Sequence, residues 1–305
     1  MPASRRLAEA AAWTPMPTSL DLKRRIRSVR NTQQITRAMK FVAAARLRRA
    51  QERALAMRPY AHALTEVVRS AALRISPDAH PLLRQRPEEK SLLLVVSGER
   101  GLCGAFNANV LRRAIEFLRA RPVAESAEVM ALGRKGRDAL RKQRWTISAE
   151  YVDIGARVQA ERAAEITKLV MDRYRAGEID AVYVLFNEFK SVLAQIVRLE
   201  KLLPIQPAEP GAETEGGALP VDYLYEQPVG ELLDRLLPRY VEAQIFRALA
   251  ESSAAEHAAR MTAMDSATTN ARELIDKLTL YMNKVRQAAI TKEIIEVASG
   301  AASAG

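Results

Sequence analysis

The 305-residue sequence has no apolar run of eighteen residues, so no segment qualifies as a bilayer-spanning helix. Cysteine occurs once, as Cys103, which excludes an internal disulfide. The three histidines, His62, His80 and His257, lie far apart along the chain and suggest neither a metal cluster nor a catalytic triad. Aromatic residues make up 5%, few for a large layered core and ordinary for long helices. Glycine and proline are absent between Arg239 and Ser299. These 61 residues, at about 1.5 Å each, predict a helix about 90 Å long. A domain of this size cannot enclose such a helix, so it needs a partner helix.

Basic residues outnumber acidic ones by 47 to 36, a net charge of +11, and their placement matters more than their number. Twelve fall between Leu20 and Arg58: Lys23, Arg24, Arg25, Arg27, Arg30, Arg37, Lys40, Arg46, Arg48, Arg49, Arg53 and Arg58. Only Asp21 and Glu52 oppose them, which leaves +10 on one segment. A stripe of this kind is either a solvated helix face or a surface for an acidic partner, protein or nucleic acid.

Residues 1–19 lack periodicity and carry three prolines, which predicts a disordered extension. Ser4-Arg5-Arg6 and the alanines after it faintly resemble a transit peptide, but the stretch is short and carries Glu9. A start at Met16 would leave only a short lead into the first helix. Residues 20–76 read as a coiled-coil helix. Leu47, Ala50, Ala54, Met57, Ala61, Leu64 and Val68 step by three and four. Leu22, Ile26 and Val29 form an earlier stripe, and Ile35, Met39 and Val42 another displaced in phase, which predicts an uneven superhelix. Pro59 is expected to bend or interrupt the helix.

Residues 228–305 give the second coiled-coil helix, with Met264, Ala267, Ala271, Leu274, Leu278, Tyr281, Val285 and Ala288 at the same steps. Pro238 is expected to kink it or to mark its first turn. Helices from opposite chain ends pair most simply antiparallel. Between them, 77–227 reads as an α/β domain. Strands are predicted at 91–97, 128–132, near 145–152, at 181–186 and over 191–199, the last two joined by a short hairpin. Helices are predicted at 109–120, 133–142 and 158–176, and this alternation implies a mostly parallel sheet. Pro204 to Pro220, with Gly211, Gly216 and Gly217, reads as a linker or loop. The fold class is thus α/β plus a long antiparallel coiled coil of the N- and C-terminal helices.

Ser97-Gly-Glu-Arg-Gly-Leu-Cys-Gly-Ala-Phe-Asn107 occupies the strand-to-helix position of a dinucleotide-binding loop. Its glycines are spaced three and three instead of two and three, and Glu99 would set a carboxylate beside a pyrophosphate. A tight turn explains these glycines better than a phosphate site. No cofactor is expected. Cys103 reads as a small packed side chain, not a nucleophile.

Four segments carry a family resemblance. Ile35-Thr-Arg-Ala-Met-Lys-Phe-Val-Ala-Ala-Ala-Arg-Leu47 resembles the N-terminal signature of the gamma subunit of F-type ATP synthases. Arg100-Gly-Leu-Cys-Gly-Ala-Phe-Asn107 resembles that family's central motif. Asp222-Tyr-Leu-Tyr-Glu226 resembles its foot segment beside the membrane rotor ring and the epsilon subunit. Val285-Arg-Gln-Ala-Ala-Ile-Thr-Lys-Glu-Ile-Ile-Glu-Val-Ala-Ser-Gly-Ala-Ala-Ser303 resembles its C-terminal signature. The motifs stand in the family's order across residues 20–303.

The resemblance implies a central rotor shaft that performs no catalysis itself. One copy would turn inside three alpha and three beta subunits, with the epsilon subunit and the membrane c-ring as further partners, and no nucleic acid. Met39, Arg286, Gln287, Thr291 and Glu293 would contact the catalytic ring. Tyr223, Tyr225 and Glu226 would meet the rotor ring or epsilon. The apolar tip from Val297 to Ala302 would sit in a smooth bearing. The implied location is the cytoplasmic side of a bacterial plasma membrane, peripherally bound. The chain lacks the cysteine-bearing insertion of the chloroplast form, which excludes thiol regulation of that kind.

Overall fold

The computed structural model describes residues 18–72, 76, 80–120, 127–154, 159–206 and 229–303. The described elements run α1 (Ser19–Ala72), β1 (Ser91–Val96), α2 (Phe106–Arg119), β2 (Ala127–Leu132), α3 (Arg134–Lys142), β3 (Ile147–Tyr151), α4 (Gln159–Arg175), β4 (Ala181–Phe189), β5 (Gln195–Leu203) and α5 (Val229–Ser303). Contacts divide the chain into two compact units. One comprises the chain up to Met39 and from Asp265 onward, the other Lys40–Met264.

In the Lys40–Met264 unit, α1 and α5 run antiparallel. Arg58 meets Glu251 and Thr65 meets Gln244, so seven residues forward on one helix are seven back on the other. The predicted seam of α1 is confirmed here. Leu47, Ala50, Ala54, Ala61, Leu64 and Val68 are buried and Met57 is half-buried. Pro59 does not interrupt α1, which continues through it. In α5, Pro238 and Gly230 also lie within the helix, so it reaches 75 residues instead of the 61 free of both residue types.

The other unit pairs the start of α1 with the later part of α5 through Thr36 and Thr268, whose hydroxyls lie 2.8 Å apart and buried. Leu22 and Ile26 are buried as expected. The displaced second stripe is not formed, for Ile35 and Val42 are 60% and 52% exposed. Along α1 the covered positions step without a slip through Leu22, Ile26, Val29, Gln33, Thr36, Lys40, Ala43 and Leu47. The seam is a regular heptad whose middle is polar, and the buried hydroxyl pair makes that tolerable. On α5 a one-residue correction applies. Met264 and Ala271 are buried and Leu278 and Val285 half-buried, but Thr268, Ile275 and Met282 take the places assigned to Ala267, Leu274 and Tyr281. Leu274 and Tyr281 are 45% and 42% exposed. Ala288 is exposed as well.

The five strands form one sheet in the order β3-β2-β1-β4-β5. All neighbours are parallel except the β4–β5 hairpin. The final strand forms four residues later in the chain than the predicted run 191–199, with 191–194 making the turn. Side chains alternate as a pleated sheet requires. Leu93, Val95, Val129, Ala131 and Leu185 face a core with α2 and α3 residues Val110, Ala114, Leu118 and Leu140. Leu92, Leu94, Val96, Met130, Leu132 and Phe186 face α4 and the helix pair, meeting Val170, Val68, Leu237 and Ile245. Inside this unit the terminal helices are therefore a layer of the α/β core.

Candidate functional site

From Arg286 to Ser299 every residue of α5 is exposed. Residues on one helix face recur every three or four positions, which groups Arg286, Gln287, Ile290, Thr291, Glu293, Ile294 and Val297 on a broad strip. Its apolar members are far out of cover: Ile290 is 48%, Ile294 62% and Val297 73% exposed. The Thr291 hydroxyl donates to the Gln287 carbonyl at 2.9 Å. Lys292 lies 3.5 Å from Glu296, which offsets its charge locally. The structure thus brings Arg286, Gln287, Thr291 and Glu293 together on one unpartnered helix end. Met39, half-buried, stands apart from them on α1. Tyr223, Tyr225 and Glu226 lie outside the described residues.

The basic stripe of α1 is a solvent face over most of its length. Lys23, Arg24, Arg25, Arg27, Arg30, Arg37, Arg46, Arg48 and Arg49 are exposed. Arg48 pairs with Glu52 at 3.3 Å. Asp21 is committed to the helix start, bonding the Thr18 hydroxyl at 2.7 Å, and that bond holds its carboxyl below the usual range. Little acidic charge is left to neutralise the stripe.

Lys40, Arg53 and Arg58 are half-buried instead, and Arg58 bridges to the other helix. Its Nε donates to Glu251 Oε1 at 2.7 Å, and one Nη donates both to Glu251 Oε2 at 3.0 Å and to the Phe189 carbonyl at 2.7 Å. The Phe189 N–H returns a bond to Glu251 Oε2 at 3.0 Å. The Glu251 side chain is 2% exposed. Sequence reasoning counted Arg58 among surface cations and passed over Glu251. A lone carboxylate between Leu249-Ala250 and Ala254-Ala255 was the available signal.

The glycine turn follows the strand end as expected and holds no anion cradle. The Gly98 N–H donates to Asn107 Oδ1 at 2.9 Å. Glu99 accepts from the Ile154 and Arg134 N–H groups at 3.2 and 3.4 Å. Parallel sheets bind dinucleotides in the crevice beyond the strand carboxyl ends. Here α5 closes that crevice. Val96, Ser97, Leu132 and Ile154 at the strand ends face Leu249, Ser252, Ser253 and Glu256 of α5, leaving about 40 Å³. Arg260 of α5 also donates to the Arg100 and Gly101 carbonyls at 3.3 to 3.4 Å. A pyrophosphate would meet two carboxylates, Glu99 and Glu256, where it needs N–H donors. Within the turn Gly104 sits at φ +56° and a Cβ on Gly98 would meet the Glu256 carboxyl at 3.0 Å, as a tight turn requires, and two further glycines beyond it are constrained. A Cβ on Gly133, at φ +110°, would stand 2.2 Å from the Ser97 carbonyl oxygen, and Gly136 donates to Ser97 Oγ at 2.8 Å.

Cys103 is buried, and burial pushes its thiol up, which keeps it protonated and unreactive. His257 accepts from Arg260 at 3.3 Å, and its pKa falls to about 4 through burial and the nearby cations Arg260, Arg46 and Arg53. His80 accepts from the Leu82 N–H at Nδ1 and meets Asp234 through Nε2 at 3.1 Å, with burial lowering its pKa. Both imidazoles are structural acceptors. Among the described residues no group of acidic, histidine and cysteine side chains is arranged to hold a metal, and no helix is long and apolar enough to cross a membrane.

A family model described as ATP synthase matches residues 18–304. The chain is 52% identical over 293 residues to the ATP synthase gamma chain of Solibacter usitatus, covering 95% of this chain and 100% of that one. It is 46% identical over 290 residues to the gamma chain of Pelotomaculum thermopropionicum, covering 94% and 99%. Among solved structures, a chain in the Euglena gracilis mitochondrial ATP synthase (OSCP/F1/c-ring) aligns with a TM-score of 0.64 at 18% identity, over 93% of this chain and 94% of that one. A chain in the Tetrahymena thermophila central stalk and c-ring structure aligns at 0.59 and 23%, over 76% and 99%. At these identities the solved structures share the fold.

Proposed function

The chain belongs to the ATP synthase gamma-chain family, and from that premise we infer how its geometry serves as the central rotor shaft of an F-type ATP synthase. The shaft couples ion flow through the membrane rotor ring to ATP synthesis in a ring of alpha and beta subunits. The chain supplies no catalytic group of its own. The crevice closed by α5 and the carboxylate-lined glycine turn support that reading. One copy stands in each complex, with three alpha and three beta subunits, epsilon and the c-ring as partners. The shaft is peripheral, on the cytoplasmic face of a bacterial plasma membrane.

The unpartnered end of α5 is the observation that carries the contact assignment. Fourteen consecutive exposed residues with outward isoleucines make poor solvent surface and good lining for an enclosing ring. On this reading Arg286, Gln287, Thr291 and Glu293 meet beta-subunit loops, and Met39 approaches the same ring from α1. The polar members supply hydrogen bonds, and the small residues after Val297 run in an apolar bearing. The basic face of α1 attracts acidic loops. The shaft presents a different face to each beta subunit, which holds the three nucleotide sites in different conformations. Residues 77–227 form the foot, with Tyr223, Tyr225 and Glu226 toward the rotor ring and epsilon.

The test is Arg286→Ala with Gln287→Ala in the reconstituted complex. No seam residue changes, so the chain should fold normally. Loss of one hydrogen bond to a charged group should cut coupled turnover about tenfold. Wild-type ATP synthesis and hydrolysis would remove both residues from the contact.

A further inference from the structure

Pro59 follows Arg58 directly inside α1. Proline has no N–H, so the Leu55 carbonyl loses its intrahelical bond and the backbone ladder of α1 is weakest at this turn. A polar cluster between the helices sits at the same turn. Arg58, Glu251 and the main chain of Phe189 close a ring of four hydrogen bonds of 2.7 to 3.0 Å across α1, α5 and the end of β4. One heptad along α1, Thr65 receives a bond from Gln244 at 2.9 Å. Gln244 accepts from Arg247 at 2.9 Å, and Arg247 pairs with Glu200 on β5. Polar links to the two hairpin strands thus flank the proline turn.

Stability does not explain this arrangement, since well-packed apolar side chains commonly replace a buried ion pair without loss. Geometry does. An apolar seam resists separation but lets side chains slide, whereas a guanidinium–carboxylate fork fixes direction as well as distance. We propose that Arg58, Glu251 and the Phe189 main chain form a torsion-bearing splint across the proline turn, the joint through which twist in the helix pair passes into the sheet. Arg58 and Glu251 are positioning residues for energy coupling. The inference rests on the shaft reading above.

The experiment uses the complete complex in sealed vesicles. It compares wild type with Arg58→Met/Glu251→Met, which removes the fork without leaving a buried charge unpaired. The Phe189 N–H and C=O lose these partners, so the free chain should melt at a modestly lower temperature, and the splint predicts near-normal ATP hydrolysis. Ions pumped per ATP should fall about twofold or more, the size expected for disturbed coupling between sites. Adding Pro59→Ala, which restores the helix bond, should recover part of that ratio. Arg58→Lys, which keeps the charge and loses the fork, should show a smaller loss and is the deciding variant if the double change prevents folding. A wild-type pumping ratio, or equal loss of hydrolysis and pumping, overturns the splint. A wild-type complex that hydrolyses ATP without pumping would overturn the shaft reading itself.

Discussion

Thr36 and Thr268 show how a polar residue holds a place in an apolar seam. Thr36 donates to the Gln33 carbonyl at 3.0 Å, and its oxygen lies 2.8 Å from the Thr268 hydroxyl. Thr36→Val or Thr268→Val alone removes the bond between the two helices and should cost about 1 kcal/mol, while the double change should be close to neutral. Urea unfolding of the four proteins checks this, and additive losses would mean the hydroxyls are not coupled. His257 makes a pH-dependent prediction. Its native pKa of about 4 lies below the free value, so the folded chain binds the proton less well than the unfolded one. The neutral ring's contribution is fully present above about pH 6.5 and is lost as pH falls toward about 4, by at most about 1.4 kcal/mol per unit. His80 shifts the same way and adds to the effect. His257→Gln should flatten the dependence of melting temperature on pH between 4 and 6.5, and an unchanged slope would assign it to other groups.

Elements with one strong period were legible in the sequence, and those that rely on polar satisfaction were not. Strand β1 is apolar after Ser91 and buried on both sides, and the helices of the middle region fell within three residues of their expected starts. The middle of the α1 seam was missed because Gln33, Thr36 and Lys40 carry no hydropathy signal. Ile35 and Val42 do carry one and point outward. Their exposure belongs to the surface of the shaft, which a periodicity search reads as core. The proposed contact residues Arg286, Gln287, Thr291 and Glu293 are legible only through the family's motif, since exposed helix positions have no signature of their own. The glycine turn was legible as a turn, but α5 lying over the crevice is a long-range contact that no local pattern contains. A direct contrast tests the glycine roles. Gly101→Ala meets nothing closer than Lys135 at 3.9 Å and should change stability within about 0.5 kcal/mol. Gly133→Ala combines a positive φ with a backbone clash and should cost about 3 kcal/mol or more. Equal effects in thermal denaturation would contradict this division. Titration with NAD or ATP should show no saturable binding at residues 98–104, and micromolar affinity abolished by Gly101→Val without unfolding would reopen the crevice as a site.

For the molecule as a whole, the basic face of α1 sets a prediction about assembly. Exposed ion pairs are worth about 0–1 kcal/mol each, so one reversal should do little. Arg24→Glu with Arg27→Glu and Arg30→Glu should weaken assembly with the ring and reverse its salt dependence. Normal assembly and turnover at low salt would show that the sign of this face is irrelevant. The unaccompanied end of α5 bears on time as well as on contact. A helical stretch of fourteen residues gains little from propensity alone in water, and most helical stability comes from packing. Residues 286–299 have no such packing, so in the free chain their amides should trade hydrogen for deuterium far faster than those near Val241 or Ala254, which are buried. The protection they acquire on enclosure dates the moment of insertion. The shaft's last four turns would then be an assembly clock, readable amide by amide as the ring closes over them.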